Sequence, residues 1–201
     1  MENDKEIIPE NTKGGQTDTS YTQEYETLED AVAAYQASSQ RLLNITEWHS
    51  YAGTGTAGFQ LTDKNGQEVN RLAEEGDHFQ IDIPGPGSKS GDGYDWVQIE
   101  SITSETNEST EFTAIKVRPA TSPQNSKPDT AHFFNDDASS TFLVKREGKT
   151  LSAEVHGRNE QPNTKAESLI DKTRNVIVAA GAMIGLSDVQ WKSLVKGLIK
   201  S

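Results

Sequence analysis

Three short segments bring together side chains that could hold a polar group or move a proton. The densest is His156-Gly157-Arg158-Asn159-Glu160-Gln161-Pro162-Asn163. Arg158 offers a planar fork for a carboxylate or phosphate, and His156 changes charge near neutral pH. The plainer alternative is that Arg158, Asn159 and Glu160 tie a turn together through hydrogen bonds to the backbone. The second segment, His132-Phe133-Phe134-Asn135, sets two aromatic rings in a polar stretch. Rings so placed must cover something, either a sheet edge or the mouth of a pocket that His132 would line. In the third, Gly93-Tyr94-Asp95-Trp96-Val97, a carboxylate stands beside an indole at the start of a strand. Trp96 is then either a core aromatic or a ligand platform. An acid–base pair would use His132 or His156 with Glu160 or Asp95.

Several chemistries lack their signatures. The chain has no cysteine, which removes disulfides, thiolate catalysis and Cys-ligated zinc or iron–sulfur centres. No His-Glu-x-x-His or comparable ligand spacing occurs, so no metal is expected. The glycines of 84–93 match neither a phosphate-binding loop nor a dinucleotide fingerprint, and no Gly-x-Ser-x-Gly elbow is present, so no cofactor is expected either.

The elements that must position these residues follow from periodicity. Residues 1–25 are polar, with Ile7, Ile8, Tyr21 and Tyr25 as their large apolar side chains. Such a stretch gains too little from burial to offset an ordering cost of about 1–2 kcal/mol per residue, so it is expected to be a disordered acidic tail ahead of a single domain over 26–201. Thr27 is the expected N-cap of a helix over 28–47, whose stripe is Leu28, Val32, Tyr35, Ser39 and Leu42. From Phe59 the period becomes two. Strands are expected from 59, around 79–83 with Pro84-Gly85-Pro86-Gly87 closing that one, and at 94–103, 110–118, 139–146 and 150–157. Asn65-Gly66 and Glu147-Gly148-Lys149 read as hairpin turns, and 120–137 as a long loop of the kind that often binds ligands. After Asn163 the helical period returns through Ala166, Leu169, Ile170, Thr173, Ile177, Ala180 and Ile184. A further helix starts with a Ser187/Gln190 capping box and buries Trp191, Leu194, Val195 and Leu198. Helix, strands, then helices is an α+β layout.

This order resembles the START-like helix-grip (SRPBCC-type) superfamily, in which a curved antiparallel sheet packs against a long C-terminal helix. The resemblance rests on the early helix ending at Leu42-Leu43-Asn44-Ile45-Thr46-Glu47-Trp48, the meander from 59 to 157 and the helix from about 165. The chain departs from the pattern in having no evident strand before its first helix and an extra helix after Ser187. The resemblance implies an apolar ligand held between sheet and helix, where some members catalyse cyclisation or hydrolysis. Independently, Ala179-Ala180-Gly181-Ala182 and Gly185 give the helix a face of very small side chains, suited to close packing or to a cavity.

Charge bounds the partners. With 19 basic and 31 acidic residues the net charge is −12, which repels phosphate at long range and argues against nucleic acid. The run Val176–Leu186 is too short to span a bilayer, and no secretory signal is evident, so a soluble, cytoplasmic protein is expected. Lys192, Lys196 and Lys200 recur on one helix face, where they either favour the helix dipole or form a docking stripe. The leading expectation is a binding domain for a small, largely apolar or amphipathic molecule, with Asp95, Trp96, His132, Phe134, His156, Arg158 and Glu160 at its site. The alternatives are an enzyme of hydrolase or cyclase type in the same pocket, and an acidic scaffold for a basic protein.

Overall fold

A computed structural model of the chain describes residues 7–53, 57–82, 88, 91–124, 130–164, 178 and 186–200. Its elements are β1 (Gly15–Glu24), α1 (Leu28–Leu43), a 3-10 turn (Ile45–Glu47), α2 (Trp48–Ala52), β2 (Gly58–Thr62), β3 (His78–Asp82), β4 (Asp95–Thr106), β5 (Thr110–Pro119), β6 (Ser139–Glu147), β7 (Thr150–Glu160) and α3 (Leu186–Lys200). The strands form one antiparallel sheet in the order β1-β7-β6-β5-β4-β3-β2. One strand, two helices, a six-strand meander and a terminal helix make up the helix-grip architecture. The expected fold class therefore holds.

β1 overturns the expectation of a disordered tail over the stretch 15–24. It pairs with β7 from Gly15↔Glu160 to Glu24↔Thr150. As an edge strand it needs apolar support on one face only, and Thr17, Thr19 and Tyr21 supply it, alternating with exposed Gln16, Asp18, Ser20 and Thr22. Its stability comes from a ladder to residues more than 120 positions away, which local composition does not report. The departure from the helix-grip pattern read at this point is thereby removed.

The first helix begins as expected, with the Thr27 hydroxyl accepting from the Asp30 amide at 3.1 Å. It ends at Leu43, short of residue 47, because Asn44 leaves helical geometry (φ −91°, ψ 69°). The chain then turns through the 3-10 segment into α2, which delivers Trp48 to the core. Leu28 is largely exposed, and the buried stripe is Ala31, Tyr35, Ser38, Ser39 and Leu42.

The core lies between the inner face of the sheet and the helices. Trp48 is fully buried, with the rings of Phe142, Phe59 and Phe79 at 4.6, 5.4 and 5.8 Å and its indole N–H donating to the Leu42 carbonyl at 3.0 Å. The α3 side chains Leu194, Val195, Leu198 and Ile199 complete it, while Trp191 reaches Phe142 at 5.4 Å. α3 meets β1, β7, α1 and α2. Arg41 ties its end by donating to the Leu198 carbonyl at 2.9 Å, which suits the negative end of the helix dipole. At Gly197 a Cβ would collide with the Tyr51 carbonyl oxygen, so α2 and α3 approach more closely than any other residue there would allow.

Among the described residues, the helix packed on the sheet is the one expected as an extra element after Ser187. Apart from Val178, which is helical, the helix expected over 166–184, including the Ala179–Ala182 and Gly185 face, lies outside the described residues, as do Ile83 and Pro84–Gly87 and the side chain of Ser187. Gln190, expected in the capping box with Ser187, accepts through its side-chain oxygen from the Ala57 amide at 3.2 Å.

Candidate functional site at the β1–β7 end of the inner face

The alternation of β7 decides which of the selected residues face the core. Leu151, Ala153 and Val155 belong to the core beneath the helices. Ser152, Glu154, His156 and Arg158 therefore project from the outer face. His156 is held there by two carboxylates, Nδ1 to Asp18 at 2.6 Å and Nε2 to Glu154 at 2.9 Å. Arg158 shares Asp18 at 2.7 Å and donates to the Pro9 and Thr17 carbonyls, each at 3.2 Å. Burial pushes the His156 pKa down, but the bonds to Glu154 and Asp18 outweigh it and hold it above the ordinary histidine value. For Asp18 burial pushes upward and is outweighed by His156 and Arg158, leaving the carboxyl below its usual range. Glu154 is lowered chiefly by its bond to His156. A ring with both nitrogens on carboxylates donates from both, so this is an imidazolium. His156 and Arg158, expected to guard a pocket between sheet and helix, instead form an ionic clasp on the opposite side.

The outer face also carries the first described residues. Ile7 packs on Phe112, Ala114 and Leu143. Asn159 accepts from the Thr12 and Lys13 amides at 2.9 and 3.1 Å, and its own amide donates to Asn11 at 2.7 Å.

Glu160 escapes the alternation. Asn159 stands at φ +55°, a left-handed conformation that Asn tolerates better than most residues. The β1–β7 register slips there, passing from Thr17↔Gly157 to Gly15↔Glu160. The extra residue re-aims Glu160 to the inner face, as bulges do. Its carboxyl lies over Gly157, where an added Cβ would strike both the Glu160 and Thr17 side chains. The group is 7% exposed and accepts from the Thr17 hydroxyl at 3.1 Å. Burial raises its pKa, with Thr17 and Arg158 pulling back less strongly. Around it the cross-strand partners Thr19↔Val155 and Ser140↔Gly157 share the face. The inner surface therefore passes from packed rings near α3 to hydroxyls and one buried acid at this end.

The remaining expected site residues disperse. Asp95 is fully buried and alternates onto the face of Val97 and Ile99. Trp96 is buried on the outer side beneath the long loop. Its amide donates to the Ala131 carbonyl at 2.7 Å and its indole N–H to the Gly91 carbonyl at 3.2 Å. His132 stacks on Phe133 at 4.2 Å, its Nδ1 accepting from the Phe134 amide at 3.0 Å. Phe134 packs with Ala138 and Phe133 and bridges to Pro162. The loop is thus docked along 161–163 at the end of β7, where Asn163 donates to the His132 carbonyl at 3.2 Å. His132, His156 and Glu160 do not converge: His156 is on the face opposite Glu160, with both nitrogens occupied. Among the described residues no three His, Asp or Glu side chains are placed to hold a metal, and no helix is long and apolar enough to cross a membrane.

A groove that sequence reasoning missed lies at the β2 edge. Its volume is ≈ 340 Å³, and His49, Gly58, Phe59, Gln60, Glu68, Gln80, Asp82 and Tyr94 line it. The available signal was the strand register, since Gln60 and Gln80 are direct partners and so are Gly58 and Asp82. That register depends on β2 lying beside β3.

No protein-family profile matches the chain, and no curated protein does. Solved structures resemble it at low identity. A hypothetical protein of Helicobacter pylori superposes with TM-score 0.49 at 11% identity, over 91% of this chain and 87% of that one. A truncated norcoclaurine synthase of Thalictrum flavum gives 0.40 at 7% identity, over 96% and 99%. A major latex-like protein of Panax ginseng gives 0.33 at 11%, over 84% and 95%. At these scores nothing of their chemistry transfers to this chain.

Proposed function

We propose that this helix-grip domain binds a small, largely apolar molecule against the inner face of the sheet at its β1–β7 end, with Glu160 as the polar anchor. The observation that carries the reading is the bulge at Asn159, which turns a carboxyl inward over a glycine and leaves it buried with one hydroxyl donor. Burial raises the Glu160 pKa above the ordinary carboxyl value and so favours the protonated form, which donates a hydrogen bond to a ligand oxygen. Apolar ligand surface removed from water there is worth about 25 cal/mol per Å². The polar contact fixes orientation while burial supplies affinity.

Native mass spectrometry of the full chain tests the reading. A copurifying organic molecule is expected, displaced by acidification with formic acid and diminished in Val155→Trp, which fills the face. Glu160→Gln keeps one donor and should retain the guest, whereas Glu160→Ala should lose it. A guest-free protein that also fails to bind an environment-sensitive apolar fluorophore overturns the proposal.

A further inference from the structure

The groove at the β2 edge has a chemistry distinct from the inner face. Gln60 and Gln80 stand side by side across β2 and β3, with Gly58 opposite Asp82 one pair further along. Glu68 comes from the segment bridged to Thr62 at the other end of β2. Tyr94 closes one side with an exposed ring, whereas the Phe59 ring turns into the core from the other face of β2. His49 Nδ1 bonds the Thr46 carbonyl at 2.8 Å. A carbonyl only accepts, so Nδ1 carries a hydrogen. Gln60 donates to the Leu61 carbonyl at 3.0 Å, which leaves its amide oxygen available.

The described lining is rich in acceptors, with two carboxylates and two side-chain amides. Among the described residues no Lys or Arg lines the groove. The two carboxylates stand at its opposite ends. Asp82 is level with Gly58 and Glu68 with Thr62, four residues along β2, or about 13 Å at the rise of a strand. Between them run the Gln60 and Gln80 amides, with the Tyr94 ring at one side. A ligand matching this lining has a positive donor at each end and an aliphatic stem between them. An aromatic face also attracts an ammonium, by about 0.5–1 kcal/mol at exposed sites.

We infer that the β2-edge groove binds an extended organic dication, a linear polyamine with ammonium groups toward both ends, one on Asp82 and the other on Glu68. The methylene stem lies along the Tyr94 ring, and the Gln60 and Gln80 amides accept from any nitrogen between. This site is separate from the inner-face site and does not depend on it.

Isothermal titration of the full chain with spermidine at low salt tests the assignment, with butylamine and glucose as comparison probes. Spermidine is expected to bind more tightly than butylamine, and glucose not at all. Glu68→Gln and Asp82→Asn should each weaken spermidine about tenfold, the loss of one charge-assisted contact. Glu26→Gln with Glu29→Gln, an exposed acidic pair elsewhere, should change it less than about twofold, as screened surface charges do. All these positions are exposed, so folding is preserved in every variant. Equal binding of butylamine, binding of glucose in place of spermidine, equal loss in the Glu26/Glu29 control, or no heat at all each overturns the inference.

Discussion

The outer-face clasp makes the stability of this protein depend on one proton, and the His156→Gln variant isolates it. The His156 side chain is 12% exposed and bonds two carboxylates. Hydrogen bonds to charged groups contribute about 1.5–3 kcal/mol each, and the Asp18 contact falls at the low end because that side chain is 44% exposed and screened. Because the folded-state pKa is raised above the unfolded value, the contribution is fully present below the unfolded value of about 6.5 and fades as pH climbs through the folded one. Asp18 and Glu154 are shifted the other way. Their share is present above the ordinary carboxylate range and is lost as pH falls through their lowered values. The clasp therefore stabilises most between roughly pH 4.5 and 6.5. Urea unfolding, followed by tryptophan fluorescence at intervals from pH 4 to 9, should show wild type exceeding His156→Gln by about 2–3 kcal/mol at pH 5.5. The gap should shrink by at least half at pH 9. Differencing the two proteins cancels His78, whose pKa burial lowers and whose own contribution is lost on acidification. A gap that stays constant with pH, or widens above pH 7, would refute the imidazolium assignment, as would an NMR titration of His156 with a midpoint below 6.5.

Other variants probe the elements that build the site. Gly157→Ala places a methyl group against the Glu160 and Thr17 side chains and should lower stability by about 1–3 kcal/mol, read from thermal melts. At Asn159, with φ +55°, substitution by Gly should leave the protein about 1 kcal/mol more stable than substitution by Ala, although both lose the same bonds to Thr12 and Lys13. Equal melting of the two would mean that the left-handed backbone is not under strain. Trp48→Ala, which empties the centre of the Phe59, Phe79 and Phe142 cluster, should cost about 3–5 kcal/mol in urea unfolding.

What was legible in the sequence was whatever local chemistry encodes. Alternation placed strands at Phe79 and Ile81, at Phe142 and Val144, and at Leu151, Ala153 and Val155. Thr27 marked the first helix, and Gly148 the last hairpin. The same alternation put His156 and Arg158 on one face of β7 and Val155 on the other. It did not reveal which face the helices cover, and that choice separated them from the inner site. Three decisions belonged to tertiary structure alone. β1 exists because β7 offers it a ladder, so a polar stretch that would stay unfolded by itself becomes an edge strand. Glu160 faces inward because pairing with β1 slips by one residue at Asn159, and a one-residue slip reverses every side chain beyond it. The groove forms because β2 meets β3 in the register that sets Gln60 against Gln80. Local propensity reads neighbours within a turn or a strand, whereas these three features come from contacts between residues that only the folded sheet makes adjacent.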